Sequence, residues 1–258
     1  QIHTIVVIPP RSSRTFPADL MNPEIVNFRN LRADQINNYE INQEPIVLEP
    51  INVAFDAQWK GTMELDNVEK AITAFLMIKT TKLSGIIIYE STNFLIRGNI
   101  NTKSRSVSCS LYNIKEKEEV KLTGRIDNNA EDTEYTFVVN NNKYHIILNA
   151  EASDKTTFKK DEVITGKYMA FYTTGQNQQE MSLHLESFEH GILSGNGNES
   201  ESFEVIGFAD KGKDFYLIRF GSETTYYTGT ISSNSSEVYI EGNYNSRSSG
   251  QFTFFKEM

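Results

Sequence analysis

Four histidines, one cysteine and a few acidic loops hold whatever acid–base, metal or nucleophile chemistry this chain can do. His184 and His190 flank Glu186 and Glu189, and His184 shares a strand face with Glu186 at a spacing of two. A metal site would need these groups folded together, yet a separation of six residues between the histidines matches no common zinc spacing. His3 lies in a proline-rich segment and is a poor catalytic base. Cys109 sits in the alternating run Ser106 to Leu111 with no histidine near it in sequence, so it reads as a small core hydrophobe. Gly195-Asn196-Gly197 has the look of a phosphate loop, but it precedes a strand, and the helix N-terminus that would hold a phosphate is missing. The loop from Asp127 to Asp132 is acidic enough for calcium but lacks the alternating carboxylates and glycine of an EF-hand loop. It reads as a solvated hairpin tip, and Lys115 to Glu119 as an exposed turn. Asn198-Glu199-Ser200 and Asn234-Ser235-Ser236 fit the glycosylation pattern. No set of nucleophile, base and metal ligands assembles from these pieces. The chain is read as non-enzymatic, with no cofactor and no metal.

Composition narrows the partners. The net charge of −9 argues against nucleic acid, whose binders need a basic surface. No apolar stretch reaches the roughly 18 to 20 residues of a membrane-spanning helix. With a single cysteine there is no intramolecular disulfide, which excludes a disulfide scaffold but not secretion. The chain opens on Gln1; if that is a mature N-terminus, a cleaved signal or transit peptide makes the protein secreted or organellar, for example mitochondrial.

The elements that must position these residues come in two sets, because the chain says nearly the same thing twice. Leu83-Ser84-Gly85 returns 110 residues later as Leu193-Ser194-Gly195. Phe94 to Gly98 returns after 109 as Phe203 to Gly207, and Thr123-Gly124 after 105 as Thr228-Gly229. Order is kept and the spacing shrinks by small loop deletions, which marks a tandem duplication of one small domain. From Val53 onward, short period-two runs are bounded by Gly, Asn, Asp and Ser, about eight in each repeat. Loops such as Asn140 to Lys143 and Asp210 to Lys213 suit hairpins. Sequential hairpins make a meander, and an eight-stranded meander closes into a barrel to remove its edges. The expected fold is all-β: a tandem duplication of an eight-stranded antiparallel up-and-down barrel, with a sandwich as the alternative.

All six prolines fall in the first 50 residues and all 15 glycines after residue 60. That division predicts an extended N-terminal arm over 1–52, a first barrel over 53–150, a polar linker over 151–162 and a second barrel over 163–258. One short helix is allowed in the arm behind Asn22-Pro23. The arm is too apolar for a disordered tail, with Ile5, Val6, Val7, Ile8, Leu20, Ile25, Phe28 and Leu31 among its residues.

The second repeat resembles the calycin-like barrels, the group of lipocalins and avidins. The pieces are Gly166-Lys167-Tyr168, Phe203 to Gly207, Phe215 to Phe220, Tyr227-Thr228-Gly229 and Ile240 to Tyr244. The resemblance implies a barrel and, in that family, a cavity for a small ligand. Departures stand beside the matches: Trp59-Lys60-Gly61 reverses the family's Gly-x-Trp order, and Tyr168 takes the place of the tryptophan.

One surface inference follows from the repeat. Val107, Cys109 and Leu111 face inward with serines outside, and a spacing of 109 then puts Tyr216, Ile218 and Phe220 inward and Phe215 and Leu217 outward. A strand apolar on both faces is buried on both, so the other barrel, the arm or a partner must cover it. Ile86 to Tyr89 and Phe252, Phe254 and Phe255 raise the same question. The reading is a structural or accessory subunit of a larger protein assembly, touching other subunits through Ile5 to Ile8, Leu20, Ile25, Phe28, Leu31, Phe215 and Leu217. The alternative is a lipocalin-like binder of a small apolar ligand.

Overall fold

The alternation from Ser106 to Leu111 sets one strand and shows how the rest are built: Val107, Cys109 and Leu111 are buried while Ser106 and Ser108 face solvent. The computed structural model describes residues 50–257 apart from 130, 175–176, 211–213 and 234–236. The arm residues Ile5, Val6, Val7, Ile8, Leu20, Ile25, Phe28 and Leu31 therefore lie outside the described residues. Both barrels belong to one compact unit that begins at Leu48.

The first barrel comprises β1 (Asp56–Leu65), β2 (Val68–Lys79), β3 (Lys82–Tyr89), β4 (Thr92–Asn101), β5 (Ser106–Asn113), β6 (Glu118–Asn128), β7 (Glu134–Asn140) and β8 (Tyr144–Glu151). Each strand pairs antiparallel with the next, and β1 closes the ring by pairing with both β2 and β8. Asp66 and Asn67, with φ of 51° and 63°, form the two-residue turn that twists β1 into β2. A two-residue strand, β9 (Lys155–Thr156), extends the ring beside the start of β1. The second barrel comprises β10 (Gly166–Thr174), β11 (Asn177–Ser187), β12 (Ile192–Asn198), β13 (Ser202–Ala209), β14 (Phe215–Phe220), β15 (Thr225–Ser233), β16 (Val238–Asn245) and β17 (Ser249–Lys256). It too is a closed antiparallel barrel. The up-and-down barrel expected from the sequence forms twice.

The ladders show how faithful the duplication is. Leu76 pairs with Gly85 as Leu185 pairs with Gly195. Gly98 faces Cys109 as Gly207 faces Leu217, and Val107 faces Gly124 as Phe215 faces Gly229. Phe137 faces Leu148 as Ile240 faces Phe254, and Trp59 faces Ala74 as Tyr168 faces Leu183. Followed through its ladders, one circuit of either barrel returns to the register of the first strand ten residues on, from position 61 to 71 and from 170 to 180, so the two share one stagger. The repeated glycines have a steric reason. A Cβ at Gly124 would meet the Val138 carbonyl oxygen at 1.8 Å, and one at Gly229 would meet the Glu241 oxygen at 2.1 Å.

The same ladders correct the sequence alignment at one strand. Because Gly207 pairs with Leu217, β14 matches β5 at a spacing of 108 rather than 109 residues: the β13–β14 hairpin is one residue shorter. A one-residue slip turns every side chain to the other face. Phe215 and Leu217, expected outside as partner contacts, are core residues at 0% and 1% exposure. Ile218 and Phe220, expected inside, lie on the outer face.

Both interiors are filled. Trp59, Phe94, Phe137, Leu76 and Leu148 occupy the first. The second holds a lattice of rings: Phe252 lies 4.5 Å from Phe254, 5.2 Å from Tyr227 and 6.2 Å from Phe215, centre to centre. Of the phenylalanines near the C-terminus, Phe252 and Phe254 belong to this core and Phe255 points outward.

Candidate functional site: the seam and cleft between the barrels

The outer apolar faces find each other. Leu95 and Tyr112 of the first barrel join Ile206 and Ile218 of the second in one buried cluster, edged by Ile114, Phe208, Phe220 and Tyr226. A second cluster joins Met77 and Ile86 to Phe158, Phe188 and Ile192. The doubly apolar strand β14 is therefore covered by the first barrel. Phe158, in the stretch read as a polar linker, is buried at 3% exposure, and its N–H donates to the Asp56 carboxylate at 2.9 Å.

Above this seam a cleft of about 660 Å3 opens between the barrels. One wall is the outer face of β3 to β6, where paired positions form two rows. Ser84, Arg97, Ser110 and Lys121 make one; Lys82, Asn99, Ser108 and Thr123 make the other. The facing wall carries Glu186, Ser194, Asn196 and Glu204. Glu204 bonds Lys82 at 3.0 Å and also pairs with Arg97, whose guanidinium lies 4.2 Å from the Phe220 ring centre. The Lys82 hydrogen bond, opposed by partial burial and helped by the Arg97 charge, holds the Glu204 carboxyl below the usual range. Glu186 is held low in the same way by Lys160, at 2.5 Å. Lys79 lies over the Phe188 ring at 4.8 Å.

The barrels differ most at one mouth. Where the first has Leu111 inward, the second has Arg219, stacked 4.1 Å from the Phe203 ring centre and bonded to Glu199 at 2.6 Å. Tyr172 bonds the same carboxylate. Burial pushes the Glu199 carboxyl up, but Tyr172 and Arg219 more than offset it and leave it below its ordinary value. These groups satisfy one another and cap the ring lattice.

Residues singled out by the sequence fall as follows. Cys109 is buried, and loss of hydration pushes its thiol up to about 12, so it stays protonated. His184 pairs across to Lys167 on β10, while His190 stacks 3.7 Å from the Phe75 ring centre. Partial burial there holds the His190 imidazole below its ordinary value, against the raising charge of Glu189. Among the described residues no three His, Cys, Asp or Glu side chains gather into a metal-binding group. Asp127 is tied to Arg105 at 3.6 Å and to Arg125. Asn198 lies exposed at the end of β12, and the second glycosylation triplet lies outside the described residues. Gly195 and Asn196, expected ahead of a strand, stand within β12 itself, at the wall of the cleft. Sequence reasoning missed the cleft itself; the serine face of β5 was its one visible signal.

No protein-family model and no curated protein matches this chain. Among solved structures, the crystal structure of Burkholderia oklahomensis agglutinin is similar at 8% identity, over 78% of this chain and 84% of that one, with a TM-score of 0.18. A likeness that small carries no argument.

Proposed function

We propose that this chain is a non-enzymatic structural or accessory subunit of a larger protein assembly. The observation that carries the reading is an apolar patch on the outer wall of the second barrel. Met169, Phe255 and Tyr239 form one cross-strand row over β10, β17 and β16, and Phe171 meets Phe255 at 6.1 Å. Phe255 is 49% exposed. The matching places on the first barrel hold Lys60, Asn149, Thr136 and Thr62, and there the Thr136 hydroxyl donates to Asn149. Of two copies of one barrel wall, one is polar and one is aromatic, as a surface built to be covered would be. The arm belongs to the same proposal, with Ile5 to Ile8 and Leu20 to Leu31 reaching onto neighbouring subunits.

The rival, a lipocalin-like binder, needs a hollow of roughly 300 Å3 or more inside a barrel. The Trp59 and Phe254 cores occupy that space, which disfavours it. Replacing Phe255→Glu should strip co-purifying subunits from the protein isolated from its source while leaving its melting temperature unchanged. A variant that keeps all its partners would remove the patch from the account.

A further inference from the structure

The seam and the cleft are two halves of one symmetric interface, and only one half has been closed. Equivalent residues of the two barrels meet each other: Tyr112 and Phe220 at 5.5 Å, Lys79 and Phe188 at 4.8 Å. Strands β4 and β13, also equivalent, face each other in opposite directions. Arg97 pairs with Glu204, and the positions that match them, Ile206 and Leu95, share one apolar cluster. Self-meeting equivalents and swapped pairs are the signature of a two-fold, isologous contact.

Symmetry then makes each place on the cleft comparable with a place on the seam. Where the seam has Ile86, Phe208, Ile218 and Tyr226, the cleft has Asn196, Asn99, Ser110 and Lys121. Side chains that would fill the second half are thus present in the repeat and used once. The open half instead carries four cations, Lys79, Lys82, Arg97 and Lys121, against two carboxylates. Both carboxylates are already engaged, Glu186 by Lys160 and Glu204 by Lys82 and Arg97. Lys121 is exposed and makes no ion pair among the described residues. In a chain of net charge −9, this is a local excess of positive charge.

We propose that the open half binds an acidic oligosaccharide. Short hydroxyl and amide side chains on both walls exchange hydrogen bonds with sugar hydroxyls, and the cations take its sulfate or carboxylate groups. The volume falls in the range of small-ligand sites, about 300 to 1,000 Å3. Competing ligands fit less well. A peptide strand needs an unpaired sheet edge, and closed barrels offer none. A nucleobase needs an exposed aromatic platform, whereas Tyr112 is 3% exposed. A lipid tail would meet charges and hydroxyls.

The site does not depend on the assembly reading, and calorimetric titration of the full chain tests it alone. The probes are a sulfated glucosamine–uronate tetrasaccharide, neutral maltotetraose, hexaglutamate and sodium sulfate. We expect saturable one-to-one binding of the sulfated tetrasaccharide, weakened by salt, with the other three at least about ten-fold weaker. Lys121→Glu should weaken binding about ten-fold or more with an unchanged melt, since Lys121 is exposed. The combined change Asn99→Phe, Ser110→Ile and Lys121→Tyr, which copies the seam into the cleft, should abolish it. No binding of the tetrasaccharide, equal binding of any other probe, or binding that survives Lys121→Glu would overturn the proposal.

Discussion

Trp59→Ala should destabilise the first barrel by about 3 to 5 kcal/mol, the usual cost of emptying a large aromatic site in a packed core. Trp59 is fully buried, stacked 6.2 Å from Phe55 and edge-on to Phe137 at 6.3 Å. Its partner by position, Tyr168, is equally buried, but the two differ in polar satisfaction. The Tyr168 hydroxyl donates to the Ile164 carbonyl oxygen at 2.5 Å, while the Trp59 indole N–H has no hydrogen-bond partner among the described residues. An unpaired buried donor costs about 1 to 3 kcal/mol. Trp59→Phe removes that donor along with some ring volume, so its net effect should be small, within about 1.5 kcal/mol. Urea unfolding followed by circular dichroism separates the two substitutions. Equal losses for both would mean that the indole is not packed as described.

Ile218→Asp should uncouple the barrels. Ile218 is 3% exposed in the seam with Leu95, Tyr112 and Ile206, so a carboxylate there would be buried among apolar side chains. An uncompensated buried charge costs about 3 to 5 kcal/mol. The loss falls on the seam and not on either ring, because the inward neighbours Phe215 and Leu217 are untouched. The expected result is a second, earlier transition in calorimetry, with the fluorescence of the single tryptophan, Trp59, still native after it. One transition at the parental temperature would contradict the seam.

These two sites also show what the sequence could reveal. The duplication was legible because its glycines are sterically fixed: at Gly124 and Gly229 a neighbouring carbonyl lies where a Cβ would go, so the motif survives in both copies. Strand count and closure followed from alternation. The facing of β14 was not legible. A single residue missing from one hairpin leaves hydrophobic content unchanged and inverts the face, and β14 is apolar on both, so no polar residue betrayed the slip until Arg219. That the strand needed cover was readable from Phe215 and Leu217 alternating with Tyr216, Ile218 and Phe220; that the first barrel supplies it was not. The cleft was out of reach altogether. It is assembled from outer positions on β2 to β6 and β11 to β13, which approach only after both rings close.

The assembly reading rests on an exposed aromatic wall, and mass answers it most directly. Native mass spectrometry of the protein as isolated from its source should find it in a complex heavier than the chain released from it, at a fixed stoichiometry with other subunits. Activation in the gas phase should then release the intact chain. A single species at the mass of the free chain, under solution conditions that keep the barrels folded, would contradict the central claim.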